Sequence, residues 1–252
     1  MPSYVSHTIM AHDVYNRIDN KNVDLYYILT YSLGGDLCKY AKCRRDSHKI
    51  KTREFIYCIC DYMKKNNLVD DKDARGFLYG HICHYVMDST IHPLIWKLQK
   101  LCVSNPSNHT MIELYYDYYF TKKRYKIRLD KYDNKLIFKG KMNKKISDMV
   151  DYIYKEIYDC DNVSSYYKFN IGLYKKIRIL YKTFGFNLVR KVSGINKFLK
   201  QNSNVDLLNN ENNITYIDAF KKECNDSLDT LYEKSINWAI DYINEVNEYL
   251  KK

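Results

Sequence analysis

The chain reads as an all-α, single-domain multi-helix bundle, and three observations point there. Pro occurs only 3 times and Gly 8 times in 252 residues, too few turn formers for an all-β protein. Apolar residues recur at helical spacing in several segments. No internal repeat and no linker-like stretch divides residues 1–252, and that length suits one domain with a sizeable core.

The elements follow in order. Val5, Ile9, Met10, Val14 and Ile18 predict a helix over 5–18, with His7 inside it. Residues 23–33 are apolar and aromatic and stop at Gly34-Gly35-Asp36, a helix end followed by a turn. Residues 38–47 form a basic, irregular connection. Phe55, Ile56, Ile59 and Met63 form one stripe over 52–66. The acidic run Asp70 to Asp73 is expected to cap the next helix, read as about Ala74 to Thr90. Pro93 is expected to break or kink the chain there. Asn108 is expected to cap a helix from His109. A short hairpin is expected over 124–140, and a helix over 144–158 with Ile146, Met149, Val150, Ile153 and Ile157 on one face. Residues 171–200 are a further basic amphipathic stretch, and 201–213 an Asn-rich loop. The longest periodic segment, about 215–250, carries Phe220, Cys224, Leu228, Leu231, Trp238, Tyr242, Val246 and Leu250.

Composition narrows the partner classes. The formal net charge is +11. Residues 121–200 hold 21 Lys and Arg against 7 Asp and Glu, while the first 120 residues are nearly balanced at 15 against 13. That basic region is either a solvated surface or a contact for an anionic partner, a phospholipid surface or nucleic acid. The 27 Tyr residues are read as core edges and rims. Tyr115-Tyr116 and Tyr118-Tyr119-Phe120 are read as core packing and pocket wall. The 8 Cys lie among apolar residues, and no Cys-x-x-Cys pair occurs, so they are read as reduced core thiols. No apolar run is long enough to span a membrane. The start lacks the charged and apolar regions of an export signal, so the expected location is cytoplasmic.

The chemistry concentrates in the first half. All seven His fall at or before position 109: His7, His12, His48, His81, His84, His92 and His109. His84, Asp88 and His92 are spaced by four, which stacks them on one helix face. His84 and His92 are then about 12 Å apart along the axis. A single ion cannot reach both, whereas two or three ions with Asp88 as the bridge fit that length. Imidazoles with carboxylates suit zinc or a similar metal.

The ordered set His7, Gly34-Gly35-Asp36, His48, His84 to Asp88, His92 and His109-Thr-Met-Ile-Glu113 resembles the zinc-dependent phospholipase C family. That family shares its all-α fold with single-strand-specific nucleases. The opening Met-Pro-Ser-Tyr-Val-Ser-His and the phrase Gly-His-Ile-Cys-His-Tyr-Val-Met-Asp-Ser-Thr-Ile-His-Pro resemble its signal-less, intracellular branch. The motif-bearing match covers roughly residues 1–120. The resemblance implies that Asp36, His48 and His84 hold a first zinc ion with Asp88 bridging, and that His92, His109 and Glu113 hold a second. His7 and Asp88 would hold a third. Secreted members complete that third site with the amine and carbonyl of their first residue; here His12 is the alternative partner. Asp36 and Asp88 are the implied catalytic carboxylates, Asp36 as acceptor of a water proton. Asp46 and Asp117 are candidates for orienting the imidazoles. His81, about 20° from both Asp88 and His92 round the helix, is read as a supporting or substrate-facing residue.

The implied activity is phosphoester hydrolysis by a metal-activated water, with a phospholipid headgroup as substrate. The alternatives are a nuclease- or nucleotidase-like phosphoesterase of the same fold and a non-catalytic metal-binding interaction protein. The basic region is also the expected site of peripheral contact with an anionic membrane.

Overall fold

A computed structural model describes residues 4–19, 21–44, 51–101, 108–127, 138–176 and 228–252. Every regular element among them is helical. In chain order these are α1 (Tyr4–Arg17), α2 (Leu25–Tyr31), two 3₁₀ turns (Gly34–Cys38 and Lys42–Arg44), α3 (Thr52–Lys65), α4 (Lys72–Leu101), α5 (Asn108–Tyr125), α6 (Lys144–Tyr158), α7 (163–176) and α8 (Leu228–Lys251). Among the described residues no helix is long and apolar enough to cross a membrane.

Helix α4 is the axis of the molecule, and α1, α2, α3, α5 and α8 pack round it. Its Ala74, Phe77, Leu78, Tyr79, Ile82, Cys83 and Val86 are fully buried, as befits a helix apolar on nearly every side. Two glycines set how closely its neighbours approach. A Cβ on Gly80 would stand 2.7 Å from the Tyr31 carbonyl carbon, and one on Gly76 2.5 Å from Tyr27 Cβ. Helix α2 therefore lies directly on the glycine side of α4.

The helix starts follow the local chemistry. Asp24 accepts hydrogen bonds from the Tyr26 and Tyr27 N–H groups at the head of α2. Asp71, from the expected acidic cap, accepts from Asp73 N and Ala74 N at 3.0 Å each. Asn143 caps α6 through Ile146 N. The predicted α6 stripe is buried at Ile146, Met149, Val150 and Ile153.

Several expectations are corrected. Pro93 does not end α4, which continues to Leu101. A proline frees the carbonyl four residues earlier, here at Ser89; both residues are exposed, so solvent can satisfy it. The hairpin over 124–140 falls largely on residues outside the described set, and its first two residues close α5. Residues 201–227, including Phe220 and Cys224, also lie outside it. On α8 the buried stripe is Leu228, Tyr232, Ile236, Ala239, Ile243, Val246 and Leu250 with Tyr242. Trp238 is exposed, because it sits one residue, about 100°, off the stripe.

Tyrosines are not confined to rims. Tyr31, Tyr79, Tyr154, Tyr167 and Tyr232 are among the largest fully buried side chains. Their hydroxyls find partners inside: Tyr79 donates to Asn247 Oδ1 at 2.7 Å, Tyr232 to Asp13 Oδ2 at 2.8 Å, and Tyr154 and Tyr167 pair at 2.8 Å. Cys38, Cys43, Cys60, Cys83 and Cys160 are buried thiols outside any disulfide, as expected of core cysteines.

Candidate metal centre

The site is built on three successive turns of α4. His84, Asp88 and His92 project one above the other, and Asp88 lies between the two imidazoles. His84 Nε2 is 3.4 Å from Asp88 Oδ2, and His92 Nδ1 is 3.1 Å from Asp88 Oδ1. The spacing of four therefore does what helix geometry requires of it.

Helix α2 fixes the first imidazole. The glycine track Gly76, Gly80 continues one turn later at His84, so α2 ends against its ring. His84 Nδ1 is 3.1 Å from the Ser32 carbonyl oxygen. A carbonyl only accepts, so Nδ1 carries the hydrogen and Nε2 turns its lone pair toward the cluster. Gly34 then passes under the ring at φ +45°, and a Cβ there would overlap His84 Cγ and Cδ2. Both the backbone conformation and the close approach require glycine.

The turn Gly34–Cys38 carries Asp36 in. Its anchors are Leu37 and Cys38, both fully buried, and Asn170 of α7, whose amide donates to Leu37 O at 2.8 Å. Helix α1 brings His7, which is 4% exposed. His7 Nε2 is 3.2 Å from Asp88 Oδ1, and its ring centroid is 4.7 Å from that of His84. Asp117 of α5 holds the start of α1 through Ser6 N at 2.7 Å and Ser6 Oγ at 2.6 Å. A carboxylate on the first N–H groups of a helix is favourable, and here it positions the residue next to His7. Glu113 of α5 closes the far end, with Oε1 3.4 Å from His92 Nε2.

His7, Asp36 and His84 each offer a ligand atom, and the three atoms lie within 4.8 Å of one another. Nitrogen and oxygen ligands at 2.0–2.2 Å from one zinc stand at most roughly 4.4 Å apart, so these side chains would draw in by a few tenths of an ångström or more to share a single ion. The donor chemistry fits as well. His7 Nδ1 is buried without a hydrogen-bond partner among the described residues. The resemblance divides these residues differently, with Asp36 and His84 on one ion and His7 on another. In the structure ligand atoms of all three lie in one group.

The electrostatics call for positive charge. Burial opposes ionisation of Asp88, yet His84, His7 and His92 hold its pKa well below the usual carboxylate range. Burial opposes protonation of His92 as well, but Asp88 and Glu113 pull its pKa up to about 10. His7 follows the same pattern, with burial outweighed by Asp88 and Asp36. A buried nest of carboxylates is balanced by protons on the imidazoles or by a cation among them.

Beside the cluster runs a small cleft, partly open to solvent. His7, Asp88, His92 and Glu113 line it together with Met87, Ile91, Ile95 and Tyr116. Tyr116 is thus pocket wall and Phe120 core, as expected of that aromatic run. Trp96, 50% exposed, stands one turn beyond His92 with ring centroids 5.8 Å apart.

Other proposed site residues fall elsewhere. His81 is a core residue, not a wall of this site. Its Nδ1 donates to Phe77 O at 3.0 Å and its Nε2 meets Tyr167 OH at 3.1 Å, among the rings of Phe77, Phe55 and Tyr31. It shares the angular face of Asp88 but sits seven residues, about 10.5 Å, away along the axis. His12 pairs with Asn16 one turn along α1, at 3.2 Å. His48 and Asp46 lie outside the described residues. His109 is in the first turn of α5, one turn before Glu113, with its side chain outside that set.

Ser32 and Ser6 carry no signal of their roles in the sequence, whereas Gly34 stands in the Gly34-Gly35-Asp36 motif. A backbone carbonyl has no residue signature, so Ser32 was not findable. The Gly76–Gly80–His84 spacing was a signal for close helix approach. No protein-family model, curated protein or solved structure matches the chain, so any functional reading rests on this geometry and on the motif resemblance.

Proposed function

We propose that the protein is a zinc-dependent, phospholipase C-like phosphodiesterase. The observation that carries this reading is the buried group His7, Asp36 and His84 with ligand atoms within 4.8 Å, beside Asp88 and at the head of a cleft. A divalent ion held there supplies Lewis-acid stabilisation of charge on a phosphate and acidifies a water toward neutral pH. The chain's residues do the remaining work. The Ser32 carbonyl keeps the His84 Nδ1 hydrogen in place and so aims its Nε2 lone pair. Asp36 is the proposed acceptor of the attacking water's proton. The apolar wall of Met87, Ile91 and Ile95 receives the non-polar part of the ester and keeps water away from it. A second ion would be held by His92 and Glu113 with His109.

The test is metal content followed by a substrate panel. Purified protein should carry a transition metal and hydrolyse a phosphocholine ester or an aryl phosphodiester only when loaded. Protein without metal, with Asp88→Asn and His84→Ala leaving metal content unchanged, sinks the proposal. Cleavage of single-stranded nucleic acid alone would identify the nuclease-like alternative. Bound metal without turnover on any substrate would leave a non-catalytic metal-binding protein.

A further inference from the structure

The two most exposed large apolar side chains among the described residues are Phe169, at 59%, and Tyr40, at 54%. They touch each other, with ring centroids 5.9 Å apart in an edge-to-face arrangement at 74°. Tyr40 follows the turn that carries Asp36, and Phe169 belongs to α7. The two segments are fastened beneath the pair by the buried bond from Asn170 to Leu37 O. Neither segment contains an acidic residue: 37–44 and 163–176 have no Asp or Glu. Both are basic. Lys39 lies 5.7 Å from the Tyr40 ring centroid, and Lys42, Lys168, Lys175 and Lys176 are exposed. Lys168 and Lys175 are seven residues apart, as are Phe169 and Lys176, so all four share the outer face of α7.

We infer that this patch docks on an anionic phospholipid surface, with the Tyr40–Phe169 pair entering the headgroup region and the lysines contacting anionic headgroups. Protruding aromatics on two lysine-bearing segments that themselves lack acidic residues carry both terms that hold a peripheral protein to a bilayer, apolar insertion and attraction to surface charge. Single-stranded nucleic acid also takes aromatics and lysines, but it stacks successive bases on open ring faces along a groove. Here one ring's edge closes on the other, and both protrude. The inference is independent of turnover at the metal centre.

Sedimentation with phosphatidylcholine vesicles, with and without phosphatidylserine, tests it on the full chain. Binding should require phosphatidylserine and weaken as salt is raised. Tyr40→Ala with Phe169→Ala should weaken it about ten-fold or more, from the loss of two inserting side chains. Charge reversal at Lys168 and Lys175 should weaken it about five-fold per lysine or more. Both pairs of substitutions are at exposed positions, and an unchanged circular dichroism melt shows that the fold persists. Independently, Phe169→Trp should gain a blue-shifted emission on vesicles, quenched by lipids brominated in the acyl chain. The proposal is overturned by no binding to anionic vesicles, by binding indifferent to these substitutions, or by substitutions that abolish oligonucleotide binding and spare vesicles.

Discussion

Helix α4 carries two histidine environments, at His81 and at His92 eleven residues on, and they behave in opposite ways. At His81 burial dominates, and the pKa is pushed down to about 3. At His92, one end of the His84–Asp88–His92 ladder, burial is outweighed by carboxylates and the pKa rises to about 10. The difference is the neighbours. His81 faces a carbonyl, a phenol and four aromatic rings, so it stays neutral and acts as a structural donor and acceptor. The histidines below it face Asp88, Asp36 and Glu113, which demand a positive charge. Burial of an imidazole therefore does not define a site; the carboxylates around it do.

The sharpest break of this contrast is removal of the charge that the lower site demands. Asp88→Asn should reduce bound metal by an order of magnitude or more, measured by elemental analysis, and phosphodiester hydrolysis should fall with it. Chelation of the wild type should do the same and lower its melting temperature. At a free metal concentration of 100 Kd, binding would contribute about 2.7 kcal/mol.

Gly34→Ala tests how tightly the lower site is held. The added Cβ would overlap the His84 ring at a backbone φ of +45°. A loss of about 1–3 kcal/mol in urea unfolding is expected, together with weakened metal affinity. Gly34→Ala with wild-type affinity would show that the His84 ring has room to move.

The two histidine environments also have opposite pH slopes. His81 binds its proton less tightly folded than unfolded, so its contribution is present above about pH 6.5 and is lost as pH falls toward about 3. The slope is about 1.4 kcal/mol per pH unit within that window. In metal-free protein His92 does the reverse, with its contribution full below about pH 6.5 and lost as pH rises toward about 10. His81→Phe should flatten the acid-side slope, cost about 0.5–1.5 kcal/mol at neutral pH for each hydrogen bond lost to Phe77 O and Tyr167 OH, and leave metal content unchanged. Changed metal content would break the separation of the two sites.

The smallest effect is expected at Asp117→Asn, which weakens the hold on Ser6 N and Oγ. About 0.5–2 kcal/mol of stability is at stake, with a modest loss of metal affinity through His7. Affinity falling as far as in Asp88→Asn would mean that Asp117 acts on the ion itself.

Much of the molecule was legible in its sequence, because the governing rules are local. Periodicity marked α1, α3 and α6 to within a residue or two, the acidic run before α4 marked its cap, and the spacing of four marked the ladder His84, Asp88, His92. Where the pattern misled, a longer-range term had won. Solvent at Ser89 lets α4 continue past Pro93. Angular position alone put His81 on the ligand face as a supporting or substrate-facing residue, while its neighbours on α2, α3 and α7 made it core. Sequence by itself thus determined the helices and the stock of imidazole and carboxylate donors. Only the tertiary structure decided which donors meet. His7, Asp36 and His84 come from three separate elements, and their convergence depends on α1 and α2 crossing α4, on Gly76, Gly80 and Gly34 allowing that approach, and on a Ser32 carbonyl that no side-chain pattern announces.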